Sequence, residues 1–288
     1  MDVASRIERA LQQAIATTQI PGCPPRLGRA MHDAVFPRGA RVRPRLVHSV
    51  ALACGEDAPG ATDAAGAALE LLHCASLVHD DLPCFDAADL RRGRPSIHKA
   101  YGEPLAVLAG DALIVLAFQT LSTAACPPDR IARLTGIIAR AVGVPFGIVA
   151  GQAWECEDRI DLAHYHRAKT GALFAAATVA GAAAAGVEAE PWRLVGETLG
   201  EAYQVADDLR DAAADEDEIG KPVGRDVALG RPSAVRELGI DGAMRHLDGL
   251  VRAAIAAIPP CENGGELRSL MLSEAKRLVP KKLAQSAA

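Results

Sequence analysis

Apolar residues in this chain recur at spacings of three and four, and that periodicity restricts it to a helical architecture. From Ala64 to Asp80 the repeat runs through Ala68, Leu71, Leu72, Ala75 and Val78. Leu105 to Leu121 and Leu194 to Leu209 read the same way. Breakers separate such stretches: Pro21 to Pro25, Pro37 to Gly39, Pro127 with Pro128, and Pro259 to Gly265. No stretch alternates apolar and polar residues at the Val, Ile and Thr density of a strand, so a sheet is not expected. Half of the 288 residues are hydrophobic, yet only 3% are aromatic. Ala, Leu and Val must therefore build the core, and Ala and Leu lose little side-chain freedom in a helix. The predicted architecture is all-α. Neither a low-complexity linker nor a fixed-period repeat divides the chain, so one domain over 1–288 is expected.

The formal net charge is −5, which argues against a broadly basic nucleic-acid surface. An anionic substrate would need a locally cationic or metal-loaded site. The seven cysteines, Cys23, Cys54, Cys74, Cys84, Cys126, Cys156 and Cys261, are scattered and form no C-x-x-C. They read as reduced thiols of a cytoplasmic protein, mostly small core residues, and not as a disulfide framework or a zinc site. The N-terminal MDVASRIERALQQAI lacks the apolar core of a signal peptide. The uncharged stretch Gly171 to Val187 is short for a membrane span and rich in Ala and Gly, which predicts a close-packed buried helix and no membrane anchor.

Two aspartate clusters stand out, each at the end of an apolar helix: Asp80-Asp81-Leu-Pro-Cys-Phe-Asp86 and Asp207-Asp208-Leu-Arg-Asp211. In the second, Asp207 and Asp211 are four apart and lie on one helix side, about 6 Å apart along the axis. In the first, Pro83 ends or kinks the helix and lets Asp86 curl back toward Asp80. Adjacent carboxylates beside apolar helices are costly to keep ionised together; one pKa rises unless a cation intervenes. A hard divalent cation with oxygen ligands meets that demand, and magnesium takes one or two carboxylates plus waters and substrate phosphates. Solvated helix ends are the alternative reading, weakened by the repetition of the pattern.

Cations accompany the clusters. Arg91 and Arg92 follow the first, Lys221 and Arg225 the second; Lys169-Thr170 opens an apolar helix, and Arg41 and Arg43 lie in PRGARVRP. Each alone is ordinary surface charge, but together they suit diphosphate oxygens. His73 lies two helical turns before Asp80 on the same face. His79, His98, His164 and His166 have no evident partner and read as structural or surface residues.

LELLHCASLVHDDLPCFDAADLRRGRPSIHKAYGEPLAVLAGDAL resembles the first aspartate-rich region of the trans-prenyl diphosphate synthases. YHRAKTGALF and EAYQVADDLRDAAADEDEIGKPVGRD resemble that family's later motifs, and the likeness runs from about Gly39 to Arg231. The chain is similar above all to the bacterial geranylgeranyl diphosphate synthases of carotenoid and bacteriochlorophyll pathways. The resemblance implies one all-α domain around a central cavity, as a homodimer. It implies that Asp80, Asp86 and Asp207 bind Mg2+, supported by Asp81, Asp208 and Asp211. Arg91, Lys169 and Lys221 would hold the allylic diphosphate, and Arg92, Arg43 and His73 isopentenyl diphosphate. Thr170 and Gln204 would lie along the reacting carbons. The chain departs from the pattern at Arg38-Gly39-Ala40-Arg41, where Gly-Gly-Lys-Arg is frequent: Ala40 replaces a lysine that grips isopentenyl diphosphate, with Arg38 or Arg41 as candidate substitutes. Arg225 replaces a frequent lysine and Glu155 an aspartate.

The implied activity joins isopentenyl diphosphate to dimethylallyl, geranyl or farnesyl diphosphate. The growing tail would run down the helix that ends at Asp80. Ala75 and Ser76, one turn deeper, are small where family members that stop at fifteen carbons carry a bulky aromatic. Leu72 lies one further turn down, which places the stop at the twenty-carbon geranylgeranyl product. The alternatives are a farnesyl diphosphate synthase, a terpene cyclase or head-to-head synthase, and a non-catalytic partner subunit.

Overall fold

A computed structural model describes residues 2–36, 39–159, 162–213 and 233–278. Its helices are α1 (Val3–Ala16), α2 (Pro25–Val35), α3 (Val42–Ala53), α4 (Pro59–Asp80), α5 (Ile97–Tyr101), α6 (Glu103–Ser122), α7 (Pro128–Val142), α8 (Ile148–Ala153), α9 (Leu162–His166), α10 (Ala172–Ala184), α11 (Arg193–Ala213), α12 (Ala234–Ala256) and α13 (Gly264–Leu278). A single π turn, Arg167–Gly171, joins α9 to α10. The periodic stretches thus became α4, α6 and α11, and the uncharged Ala/Gly stretch became the buried α10. The expectation of no sheet needs one amendment. A two-stranded antiparallel ribbon pairs β1 (Leu90–Arg91) with β2 (Arg94–Pro95). Its turn residues Arg92 and Gly93 both have positive φ, 53° and 73°, as a two-residue hairpin turn of right-handed twist requires.

The residues group into two compact units, 1–139 with 180–189, and 140–179 with 190–288. In the first, α4 is the central element: almost every side chain from Ala61 to Leu72 is buried. Its alanines let α6 pack closely, through Ala106, Ala109, Gly110, Leu113, Leu116, Ala117 and Leu121, the inward stripe of a 3.6-residue repeat. The opposite side of α6 leaves Val107, Leu108 and Val115 exposed, and among the described residues α6 is the one helix long and apolar enough to cross a membrane. Polar groups clasp α1, α3 and α4 together: Arg6 bridges Glu56 and Asp63, and the buried His48 lies between Pro44 O and Asp63, at 2.8 and 2.9 Å.

In the second unit α11 and α12 share a core of Ala202, Val205, Ala206, Leu209, Ala243, Leu247 and Val251. Close approach of backbones is the other device here. A Cβ on Gly196 would meet the α10 backbone at Ala175 within 2.5 Å, and one on Gly200 would lie 2.9 Å from the Cα of Gly171. The small residues on α11 therefore set how near the π turn comes.

All seven cysteines are thiols, but only Cys74 is buried; Cys84 and Cys156 are exposed and the rest are intermediate. The expectation that most are core residues is corrected. Cys84 follows the helix-breaking Pro83, and Cys156 ends a short 3₁₀ turn, Trp154–Cys156, so both lie where no neighbouring element covers them.

Candidate active site

In the first unit α4 ends at Asp80 because Pro83 cannot continue it. The carbonyls of the last turn are satisfied by the chain folding back. Asp86 N–H donates to Asp80 O at 2.9 Å, and Ala88 N–H donates to Asp81 O at 3.1 Å. Ala87 takes a positive φ of 48° to allow it. Asp80 and Asp86 are thereby brought to one helix end. Asp81 is buried and accepts from Arg91, whose Nε lies 3.0 and 3.1 Å from its two oxygens and whose Nη2 makes a further close contact. Arg91 thus already holds a carboxylate, and that charge favours its guanidinium against the cost of burial.

The residues expected around isopentenyl diphosphate also gather in this unit. His73, Arg43 and Arg92 influence one another electrostatically: burial, then the charges of Arg43, Arg92, Arg91 and Arg41, hold the His73 imidazole well below its ordinary range. Arg91 and Arg92 border a cleft with Asp81, Cys74, Ser96 and Tyr101. Arg41 does not join them. Its Nε, Nη1 and Nη2 donate to Glu8, Glu70 and Val35 O at 3.1, 2.8 and 2.9 Å. As a substitute for the lysine missing at Ala40 it is ruled out, because every arm of its fork is engaged in the core. Arg38 lies outside the described residues, as do Lys221 and Arg225.

Of the three residues expected to gate product length, Ala75 and Leu72 are fully packed. Ser76 is half-buried, and its hydroxyl donates to His73 O at 2.8 Å.

In the second unit Asp207, Asp208 and Asp211 lie on the continuous helix α11. Asp207 is half-exposed and pairs with Arg210 at 3.0 Å, a surface pair of little energy. Asp208 is half-buried. Its oxygens accept from Gln204 Nε2 at 3.1 Å and from Ala234 N–H at 2.8 Å. Burial nonetheless pushes its carboxyl above the ordinary value, and the Asp207 charge adds to the rise. The π turn delivers the other two expected residues. Thr170 donates its hydroxyl proton to Gln204 Oε1 at 3.0 Å, so Thr170, Gln204 and Asp208 form one chain of hydrogen bonds. Single π turns of this kind recur at functional sites.

Sequence reasoning noted Glu155 only as a substitution. In the structure it accepts from Lys169 Nζ, from Tyr165 Oη at 2.6 Å and from Gln152 Nε2 at 3.0 Å. A Cβ on Gly151 would lie 2.5 Å from Lys169 N, so this glycine lets α8 press against the turn that carries Lys169. The signal was the acid three residues after Gln152, one helical turn on. His79 was also missed. Its Nε2 lies 3.2 Å from Val107 O, in a notch left by Gly110, where a Cβ would come within 2.0 Å of that nitrogen.

Among the described residues no three His, Cys, Asp or Glu side chains converge into a ready-made metal cage. The donors are hard oxygens held in pairs, which suits a cation that keeps waters and phosphate oxygens in its shell.

Comparison with known proteins agrees with this geometry. The polyprenyl synthetase family model matches residues 24–255 and runs through both units. A geranylgeranyl diphosphate synthase of Cereibacter sphaeroides is 53% identical over 99% of each chain. A geranylgeranyl pyrophosphate synthetase of Pyrococcus horikoshii superposes with a TM-score of 0.80 at 28% identity, over 97% of this chain and 98% of that one. A geranyltransferase of Helicobacter pylori, solved with magnesium and isoprenyl diphosphate, gives 0.78 at 28% identity over 96% and 97%. A helical fold, paired aspartates in the expected order and a match over most of the length have one common explanation, which is that the chain belongs to the polyprenyl synthetase family.

Proposed function

We propose that this protein is a magnesium-dependent prenyltransferase that condenses isopentenyl diphosphate with dimethylallyl, geranyl or farnesyl diphosphate and stops at geranylgeranyl diphosphate. The observation that carries the reading is the return of Asp86 onto the end of α4, where its N–H donates to Asp80 O and brings the two acidic residues to one helix terminus. The near-full-length likeness to the Cereibacter sphaeroides synthase supports both the reaction and its product.

Asp80 and Asp86 in the first unit, and Asp207 and Asp211 in the second, are the residues that would hold magnesium, which would supply the Lewis acid that a diphosphate leaving group needs. The chain's own residues do the rest. Lys169, braced by Glu155, presents a fixed cation to the allylic diphosphate. Gln204 accepts the Thr170 hydroxyl proton and donates its amide N–H to Asp208, which fixes both side chains and leaves lone pairs on the Thr170 oxygen and a second one on the Gln204 amide oxygen to face the allylic cation. Arg43, Arg92 and a neutral His73 bind isopentenyl diphosphate, whose double bond forms the new C–C bond. The departed diphosphate takes the proton lost from the neighbouring carbon. Ser76, the accessible member of the small-residue gate, leaves room for the tail.

The test is incubation of the purified protein with magnesium, labelled isopentenyl diphosphate and each primer in turn, with products separated by length. A twenty-carbon product from all three is expected. A fifteen-carbon product would keep the reaction and overturn the gate, and absence of any magnesium-dependent product would overturn the whole reading.

A second copy of the chain is the proposed occupant of the exposed side of α6. Asp111 and Gln119 interrupt that side, which suits a protein partner better than lipid, and the scattered thiols support a cytoplasmic location. Light scattering should give about twice the 30.0 kDa chain mass, and a monomer would remove the dimer from the proposal.

A further inference from the structure

Arg41 holds an unfavourable backbone conformation that substrate binding does not explain. Its φ is 50°, in the left-handed region, at the first residue before α3, where a residue other than glycine costs roughly 1–2 kcal/mol. The cost is met by its side chain. Glu8 comes from α1, Val35 from the end of α2 and Glu70 from α4, so one buried guanidinium ties three helices to the start of a fourth. The Phe36 ring lies 5.7 Å beneath it. Glu8 stands outside the stretch matched by the family model.

The fixed point lies two residues from each of two others. Arg43 is two positions on, in the first turn of α3. Gly39 is two positions back, and its Cα faces the end of the Arg92 side chain: a Cβ there would lie 2.5, 2.6 and 2.8 Å from Nη2, Cζ and Nη1. The Arg92 guanidinium therefore rests on bare backbone. Ala40, between them, is exposed and offers no cation.

We propose that Arg41 and Gly39 are positioning residues for the isopentenyl diphosphate site, Arg41 as the anchor of the 39–43 segment and Gly39 as the platform for Arg92. Pre-organised Arg43 and Arg92 thereby do the work for which related chains add a lysine at position 40. Holding two forked cations in place before binding lowers the ordering cost of capture, which is how affinity is recovered with fewer charges. This rests on the reading of Arg43, Arg92 and His73 as that site.

Gly39→Ala is the decisive variant, because the nearest atoms to the new methyl group are all at the flexible end of Arg92, which can move aside. Steady-state kinetics of the full chain with magnesium, isopentenyl diphosphate and farnesyl diphosphate should show KM for isopentenyl diphosphate raised on the order of tenfold, about 1.4 kcal/mol. KM for farnesyl diphosphate and the unfolding temperature should stay as in the wild type. Arg41→Lys, which keeps charge but loses the fork, should move the same KM in the same direction and also lower the unfolding temperature. An isopentenyl diphosphate KM within about twofold of wild type in Gly39→Ala would overturn the proposal. So would a parallel rise in both KM values, the mark of a general structural defect. A wild-type protein with no isopentenyl-dependent turnover would instead refute the underlying functional reading.

Discussion

The first aspartate cluster is made by breaking a helix, and the second by continuing one. At Asp80 the helix stops, the loop turns back, and the freed carbonyls of Asp80 and Asp81 are capped by Asp86 and Ala88 N–H groups. At Asp207 helix α11 runs on, and Asp211 shares a side with it through pitch alone. Two adjacent aspartates followed by a third thus depend on loop geometry in the first cluster, D-D-x-x-x-x-D, and on 3.6 residues per turn in the second, D-D-x-x-D. The middle carboxylates differ as well. Asp81 is sealed against Arg91, whereas Asp208 is held by one amide side chain and one backbone N–H.

The largest expected effect tests whether both clusters serve the chemistry. Asp80→Ala and Asp207→Ala should each lower kcat on the order of a hundred- to a thousandfold, as loss of a principal electrostatic stabiliser does, with helical circular dichroism unchanged. Near-wild-type turnover in either variant would remove that cluster from the metal assignment and leave the comparison one-sided.

Stability should separate the middle residues. Asp81→Ala strands the partly buried Arg91 and should cost about 3 kcal/mol, near the lower end for breaking a buried pair. Asp208→Ala should cost about 1 kcal/mol, because two hydrogen bonds are lost while an unfavourable ionisation is removed. The sign follows from its raised pKa. Between the ordinary carboxylate value and the raised folded one, the native state binds more protons than the unfolded state. Stability therefore falls as pH rises through that window, and Asp208→Ala should flatten the fall. Urea titrations across mildly acidic pH measure both, and equal costs for the two variants would contradict the difference in their environments.

How much of this was legible in sequence follows the same division. The pairing of Asp207 with Asp211 and the break at Pro83 are local consequences of helix pitch and of proline, and both were readable. So were α6 and α11, which bury periodic stripes, and α4 and α10, which are small and apolar almost all round. The engagement of Arg41 was not, because its partners Glu8 and Glu70 are 33 and 29 positions away. The π turn at Lys169 was equally hidden. An extra residue in a helical turn is selected by what packs on it, here Gly151 on one side and Gly200 on the other. The exposure of Cys84 and Cys156 was misjudged because residue type predicts burial only on average.

That close packing supplies a smaller test of the second cluster. Gly200→Ala places a methyl group 2.9 Å from the Cα of Gly171 and must push the π turn away from α11. The Thr170–Gln204 hydrogen bond should lengthen, with a loss of about 1–3 kcal/mol in stability and a fall in kcat larger than the change in either KM. Beside the first cluster the glycine contact is of Gly110 with the His79 side chain and not with backbone, and the geometry there comes from the loop. An unaltered kcat would show that Thr170 and Gln204 tolerate displacement and that the second site is less tightly built than its glycines suggest.

The smallest effect is a chemical reading of the first cluster alone. Cys84 lies exposed in its loop, and Cys74 lies buried in α4, less than two turns before the loop begins. Burial pushes the Cys74 thiol up to about 12, so at pH 8 it carries almost no thiolate and is also sterically closed. A maleimide or iodoacetamide pulse should label Cys84 rapidly and Cys74 only after unfolding, as peptide mass spectrometry would show. Magnesium with inorganic diphosphate should then slow labelling at Cys84, because ligands that draw Asp80 and Asp86 together tighten the loop between them. The half-exposed Cys23, between α1 and α2 and outside both clusters, serves as the internal reference. Protection of Cys84 relative to Cys23 would tie the loop to the metal. Equal labelling with and without magnesium and diphosphate would mean that the loop is already closed as it stands, and that the first cluster, although built by breaking a helix, is as rigid as the second.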